Sequence, residues 1–176
     1  ESIILFSRNL IDVTNQFPDI VQQIKDYFKS TNAIIDGEAV AYDFEEEKYL
    51  FFQAMMKRRR KHKAKEYAEM NPVKFMVFDL LYLEGEPYLK KSYPERRKKL
   101  ESLIDDYKYI GPARRFVSDD LDKINTYFKD CIERGLEGII CKSMVDNSYF
   151  KPGDRSWLWI KWKKDSAQEL TDTLDL

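Results

Sequence analysis

Arg134-Gly135-Leu136-Glu137-Gly138-Ile139-Ile140-Cys141-Lys142 is a helix end that turns directly into an apolar strand carrying one acid and one base. A side-chain period of two sets Glu137, Ile139 and Cys141 on one face of that strand and Gly138, Ile140 and Lys142 on the other. Taken alone, the segment leaves Glu137 open to two readings, a solvated acid at the strand mouth or a carboxylate with a function. The rest of the chain has to decide between them.

Downstream, the polar loop Ser143 to Arg155 leads into Trp157 to Lys164, where alternation places Trp157, Trp159, Lys161 and Lys163 together against Leu158, Ile160, Trp162 and Lys164. Lysines on a mostly buried strand need anions or a route to water, because burying an unpaired ammonium is prohibitive. A polyphosphate would supply the anions. A solvated sheet edge studded with lysine is the alternative.

Upstream, Ser118 is expected to open a helix with Leu121, Ile124, Phe128, Cys131 and Ile132 inward, ended by Gly135. Phe17 to Phe28 has helical spacing, and Ser92-x-x-Glu95 with Pro94 reads as a capping box before a helix with Leu100, Leu103 and Ile104 in the core. Ala33 to Asp43 alternates as a strand that puts Ile34, Asp36, Glu38, Val40 and Tyr42 on one face. Val73 to Leu83 is a second strand, with Asp79 embedded and Glu84-Gly85-Glu86-Pro87 as its closing turn. Residues 2 to 6 read as a strand, Tyr107 to Val117 as a strand region broken at Gly111-Pro112, and Gln53 to Met70 as a helix with a thin apolar stripe. The expected class is α+β, antiparallel sheets flanked by helices, without regular βαβ alternation.

At 176 residues and 43% hydrophobic content the chain can bury a proper core. Its formal net charge of -1 means that a nucleic-acid surface would have to come from local clustering. Lys57 to Lys65 supplies such a cluster, seven Lys/Arg without a carboxylate, readable as a solvated helix face or as a patch for DNA phosphates. His62 is the sole histidine and lies in that run, which argues against histidine-based catalysis. Cys131 and Cys141 lack zinc spacing and suggest a reducing compartment. No apolar run approaches membrane-spanning length, no signal-peptide layout is present, and Cys141-Lys142-Ser143 lacks the glycine of a phosphate loop.

Ser7-Arg8-Asn9, Asp36-Gly37-Glu38-Ala39-Val40, Phe78-Asp79-Leu80-Leu81-Tyr82-Leu83, Glu137 to Lys142 and Trp157 to Asp165 stand in the order and approximate spacing of the covalent nucleotidyltransferase motifs. The chain closely resembles the adenylation domain of ATP-dependent DNA ligases, particularly the archaeal replicative type. Phe52-Gln53, Lys57 to Lys61, Pro94-Glu95-Arg96-Arg97 and Tyr149 to Arg155 support that branch. The resemblance implies the ATP-grasp-like fold of that domain, incomplete here, over residues 1 to 170, with 171 to 176 leading into an oligonucleotide-binding domain.

The resemblance also implies roles. Glu38 would contact the ribose or the metal shell, and Phe78 would stack on adenine. Arg8 and Arg155 would lie near sugar and phosphates, and Lys161 and Lys163 would neutralise the triphosphate. Glu137 would serve a catalytic divalent ion, Mg²⁺ by preference, and Asp36, Asp79 and Lys142 would support the others. Lys57, Arg58, Arg59, Arg60 and Lys61 would be candidates for DNA phosphates. The substrates implied are ATP and nicked double-stranded DNA, acted on by a monomeric cytoplasmic, nucleoid-associated enzyme of replication, repair and recombination that could engage a sliding clamp. Family members carry AMP on the lysine of a Lys-x-Asp-Gly motif. Here Asp36-Gly37 follows Ile34-Ile35 and no such motif exists, so the reading expects a chain truncated just upstream of Ile3 and inactive for self-adenylation. A non-catalytic nucleotide- or DNA-binding fragment, an RNA ligase and a capping-type nucleotidyltransferase stay open as alternatives.

Overall fold

A computed structural model describes residues 2–50, 66, 72–153 and 156–164. Its centre is a long antiparallel pair, β1 (Ala33–Asp43) and β3 (Val73–Leu83). The hairpin partner β2 (Lys48–Tyr49) extends β1 on its outer edge. Asp43 Oδ1 holds the intervening turn by accepting from the backbone N–H groups of Glu45 and Glu46 at 2.9 and 3.0 Å. On the other edge of β3 lie β4 (Glu86–Pro87), antiparallel, and β5 (Ile110–Pro112), parallel.

The β1–β3 register slips twice. Partners run from Ile34↔Tyr82 to Ile35↔Leu80, then from Asp36↔Asp79 to Gly37↔Val77, so Leu81 and Phe78 are each one residue extra on β3. Such bulges bend the strand and re-aim side chains. One face of the pair builds the core: Val77, Leu80 and Leu83 are buried with Ile110 and with Leu100, Leu103 and Ile104, the last three from α2 (Tyr93–Leu103) and its C-cap. Ile24 and Tyr27 of α1 (Pro18–Tyr27) pack against the same cluster. The opposite face carries Glu38 and Val40 beside Met76 and Phe78, and looks into a cleft.

Across that cleft stands a two-stranded antiparallel sheet of β6 (Gly138–Lys142) and β7 (Trp159–Lys163). Behind it runs α3 (Leu121–Glu133), whose Phe128 stacks on Trp162 at 4.8 Å between ring centroids. The segment from Arg134 to Lys142 folds as its residues dictate. Gly135 takes φ 86° after the helix, its N–H donates to Ile132 O at 3.0 Å, and Leu136 N–H donates to Cys131 O at 3.0 Å. That is the double bond pattern of a Schellman cap, and it delivers the chain straight into β6.

Several expectations need correction. Residues 2 to 6 are no strand: Leu5 donates to Thr14 Oγ1 at 2.9 Å and accepts from Val13 N at 2.8 Å, and only one bridge forms, Phe6 to Asp12. Leu5 thus pairs its backbone with the turn that follows and not with a neighbouring strand. Gly111-Pro112 closes the three-residue strand β5 and the strand goes no further, so the expected region from Tyr107 to Val117 does stop there, with Gly111 and Pro112 themselves inside the ladder. Tyr109 O and Ala113 N make the ladder bonds to Phe75 N and Val77 O, so Pro112 falls between the donors that the ladder uses. The α3 cap is Asp120, accepting from the N–H groups of Asp122 and Lys123, and Leu121 points to solvent at 77% exposure. The expected class itself holds, antiparallel sheets flanked by helices, with the short β5 running parallel to β3. The expected helix over 53 to 70, apart from the helical Glu66, and the tail from Asp165 lie outside the described residues.

Candidate nucleotide cleft

Glu38, placed by alternation on the same face of β1 as Val40, lines a cavity of about 340 Å³. Phe78 lines the same cavity from the bulge in β3, together with Val40 and Met76, while all of β6 from Gly138 to Lys142 lines it from the other sheet. Lys161 and Lys163 pair across β6–β7 with Ile140 and Gly138, which puts both lysines on the same face of that sheet as Lys142, though neither they nor Glu137 line the cavity. Glu137, immediately before β6, is 75% exposed and accepts from Lys163 Nζ at 3.2 Å. Burial pushes the Glu38 carboxyl above the ordinary glutamate range, and the nearby Glu137 charge pushes it the same way, against the pull of Lys161. Two acids and two lysines from different sheets thus share one electrostatic neighbourhood.

The buried-lysine argument holds, but for another residue. Lys161 and Lys163 are solvent-exposed, whereas the Lys142 side chain is only 8% exposed. Its Nζ donates to Asp79 Oδ2 at 3.2 Å and sits 4.0 Å from the Trp159 ring centroid, 4.7 Å from that of Tyr93 and 5.2 Å from that of Phe78. Burial lowers the Lys142 pKa, and Asp79 works against that shift.

Asp79 is fully buried and is gripped by Arg96 of α2, also fully buried, through Nε to Oδ1 at 2.7 Å and Nη2 to Oδ2 at 3.2 Å. Arg96 Nη1 donates to the carbonyls of Lys91 and Ser148 at 2.7 and 3.0 Å. Each of the three guanidinium nitrogens thus has an acceptor, as a buried fork requires. Asp36, the register partner of Asp79, has its pKa raised by burial first and by Asp79 second.

Reasoning from sequence misses the buried roles of Arg96 and Ser148. A signal exists for Arg96, which shares the i, i+4, i+7 face with Leu100 and Leu103. A second unforeseen feature is an arginine wall, since Arg97, Arg114, Arg115 and Arg134 all line the same cavity. Glu101 pairs with Arg97 and Arg115 at 2.8 and 3.1 Å, and Asp130 with Arg114 and Arg134 at 3.2 and 3.6 Å. Arg8 is exposed in the turn after Phe6 and is not among the lining residues, while Arg155 and Lys57, Arg58, Arg59, Arg60 and Lys61 lie outside the described residues. No helix among the described residues is long and apolar enough to cross a membrane.

Residues 1–163 match the family model described as ATP dependent DNA ligase domain. The chain is 41% identical over 182 residues to DNA ligase 1 of Methanosarcina acetivorans, covering 100% of this chain and 31% of that protein. Against the DNA ligase of Acidianus ambivalens it is 40% identical over 176 residues, covering 100% of this chain and 29% of the relative. The chain therefore spans about a third of the length of these curated relatives. Among solved structures, the ligase domain of M. tuberculosis LigD superposes with a TM-score of 0.66 at 28% identity over 92% of this chain and 47% of that one. A mycobacterial DNA ligase D complexed with ATP and MES does so with a TM-score of 0.66 at 28% identity, over 93% and 48% of the two chains. A match running from the first residue to Lys163, on a fold shared with solved ligase domains, makes this chain a member of the ATP-dependent DNA ligase domain family.

Proposed function

We propose that the cleft between the two sheets is an ATP site, and that the protein to which this chain belongs seals nicks in duplex DNA through enzyme-adenylate and DNA-adenylate intermediates. The observation that carries the reading is that Glu38 from β1 and Phe78 from β3 line one cavity, while the charges of Glu137, Lys161 and Lys163 from beside and within the β6–β7 sheet act on Glu38 without lining it. A relative with a superposable fold was solved with ATP, which fits the same reading.

In this reading the Phe78 ring stacks on the adenine, a use for which a flat, half-buried aromatic has the area. Glu38 accepts from a ribose hydroxyl. Lys161 and Lys163, exposed and so free to follow the phosphates, hold the triphosphate and offset the charge that develops at the α-phosphorus. Lys163 would exchange Glu137 for phosphate oxygens, freeing the carboxylate.

Among the described residues no group of three or more His, Cys, Asp or Glu could hold a metal by itself. Glu38 and Glu137 feel each other's charge, however, and one or two carboxylates completed by phosphate oxygens is the donor set that Mg²⁺ takes. These two residues would hold it, and it would supply charge neutralisation at the phosphate oxygens.

The sequence contains no Lys-x-Asp-Gly motif, so this chain by itself is expected to take no covalent label. Incubation with ATP labelled in the α-phosphate, followed by acid, should leave it unlabelled, and a labelled lysine in it would contradict the assignment of the nucleophile. The protein that contains it should seal a nicked DNA duplex and leave a nicked RNA duplex open. Sealing of RNA alone would move the assignment to the RNA-ligase reading.

A further inference from the structure

Lys142, Asp79 and Arg96 have no part in the chemistry just described, yet they form the most deeply buried charged cluster of the described residues. Their placement is informative. Lys142 is the last residue of β6, Asp79 lies in β3, and Arg96 in α2, so one chain of contacts joins the sheet in front of α3 to the sheet above the core. Asp79 follows Phe78, the extra residue of the bulge, and one ammonium meets both: the carboxylate by hydrogen bond at 3.2 Å and the Phe78 ring at 5.2 Å. Trp159, the register partner of Lys142 on β7, and Tyr93 of α2 close the remaining sides of the ammonium at 4.0 and 4.7 Å. An ammonium seated among three ring faces and one carboxylate has well-defined attractive directions.

We infer that Lys142 is a positioning residue, an ionic latch between the two sheets that sets the width of the cleft and holds the Phe78 ring in the orientation that receives a flat base. A bulged residue has no ladder partner of its own to fix it, so its orientation must be fixed from outside the strand pair. The Lys142 ammonium, tied to the next residue along, does this. Arg96 complements it: by engaging both oxygens of Asp79 from the α2 side, it gives the latch a fixed anchor. The inference rests on the nucleotide reading of the cleft only for what Phe78 receives.

Lys142→Met separates the latch from plain packing. Methionine fills the aromatic surround with a similar volume and favourable sulfur–ring contacts, while Asp79 keeps both bonds to Arg96, so the fold should survive. Titration calorimetry of the chain with ATP, and separately with inorganic tripolyphosphate, reads base and phosphate recognition apart. Lys142→Met should weaken ATP about tenfold, the size of effect that loss of one charge-assisted hydrogen bond has on a preorganised site, and leave tripolyphosphate within about twofold. Lys142→Arg should restore ATP affinity to within about threefold, because the guanidinium can keep both the carboxylate bond and the ring contacts. ATP binding unchanged in Lys142→Met, or both ligands weakened equally, overturns the latch.

The Phe78 ring resonances, followed by aromatic NMR in the chain without ligand, keep the test independent of nucleotide. They should shift or broaden in Lys142→Met and return in Lys142→Arg. If the wild-type chain bound no ATP, the nucleotide reading would fall and these resonances would decide the latch alone, with unchanged signals overturning it.

Discussion

Glu38 shows what a half-buried acid lining the cleft costs the fold that carries it. Its carboxyl is held above the ordinary glutamate value of 4.5 by burial first and by Glu137 second. Between 4.5 and that raised value the native state binds more protons than the unfolded chain, so stability falls as pH rises through the window. Glu38→Gln cannot ionise and escapes this loss. At pH 7 it should melt about 2 °C above the wild type, a modest gain because solvent screens the exposed part of the group. The difference should shrink toward zero as the pH drops below 4.5, as thermal denaturation followed by circular dichroism at several pH values would show. A wild type more stable than the variant at pH 7 would mean that Lys161 and Lys163 outweigh the burial.

Arg96 is the opposite kind of residue, a charge whose value is wholly structural. Arg96→Met would leave Asp79 buried with Lys142 as its remaining ionic partner. We expect a loss of about 3 kcal/mol, the usual penalty for breaking one side of a buried pair, measured as a lowered urea midpoint with an unchanged slope. The partner substitution Asp79→Asn should cost a similar amount by stranding the guanidinium.

The long β1–β3 pair is the element on which the site depends, and it explains what was and was not legible in the sequence. Period-two alternation correctly gathers Asp36, Glu38 and Val40 on one face, because that face is set by the pleat alone. It cannot reveal the bulges at Leu81 and Phe78, since an extra residue leaves no mark in the strand that carries it and shows only in the register with β1. Nor can it say which lysine is buried. Lys142 and Lys161 both sit in apolar strands, and only the packing of Trp159 and Tyr93 around one of them separates the two cases.

Gly37 offers a test at this scale. A methyl group added there would lie 2.7 Å from the Phe75 ring and 2.9 Å from Met76 O, beside the register shift. Gly37→Ala should destabilise the chain by about 1–3 kcal/mol, as overpacking of a closed site does. Because the bulge it presses on holds Phe78, it should also disturb the Phe78 ring resonances more than a comparably destabilising change on the far side of the core, such as Leu103→Ala.

In the molecule as a whole, the two sheets face each other across the cleft. The core cluster of Val77, Leu80, Leu100 and Ile110 belongs to the first sheet and its helices, while the second sheet rests on α3 through Trp162 and Phe128. Between them stand the cavity, the Lys142–Asp79 bond and the opposed charges of Glu38, Glu137, Lys161 and Lys163. The family was legible at the outset because its motifs are short, local and in order. The packing that joins them, Arg96 and the arginine wall included, draws on residues far apart in sequence that no local pattern connects.

Whether the cleft takes a nucleotide is decided by calorimetric titration of this chain with ATP in the presence of Mg²⁺, repeated on Phe78→Ala and on Lys161→Ala/Lys163→Ala. One saturable site per chain is predicted, weakened at least about tenfold by either variant, because one removes the platform for the base and the other the countercharge for the phosphates. Absence of binding, or binding indifferent to both variants, would contradict the assignment of the cleft as the nucleotide site.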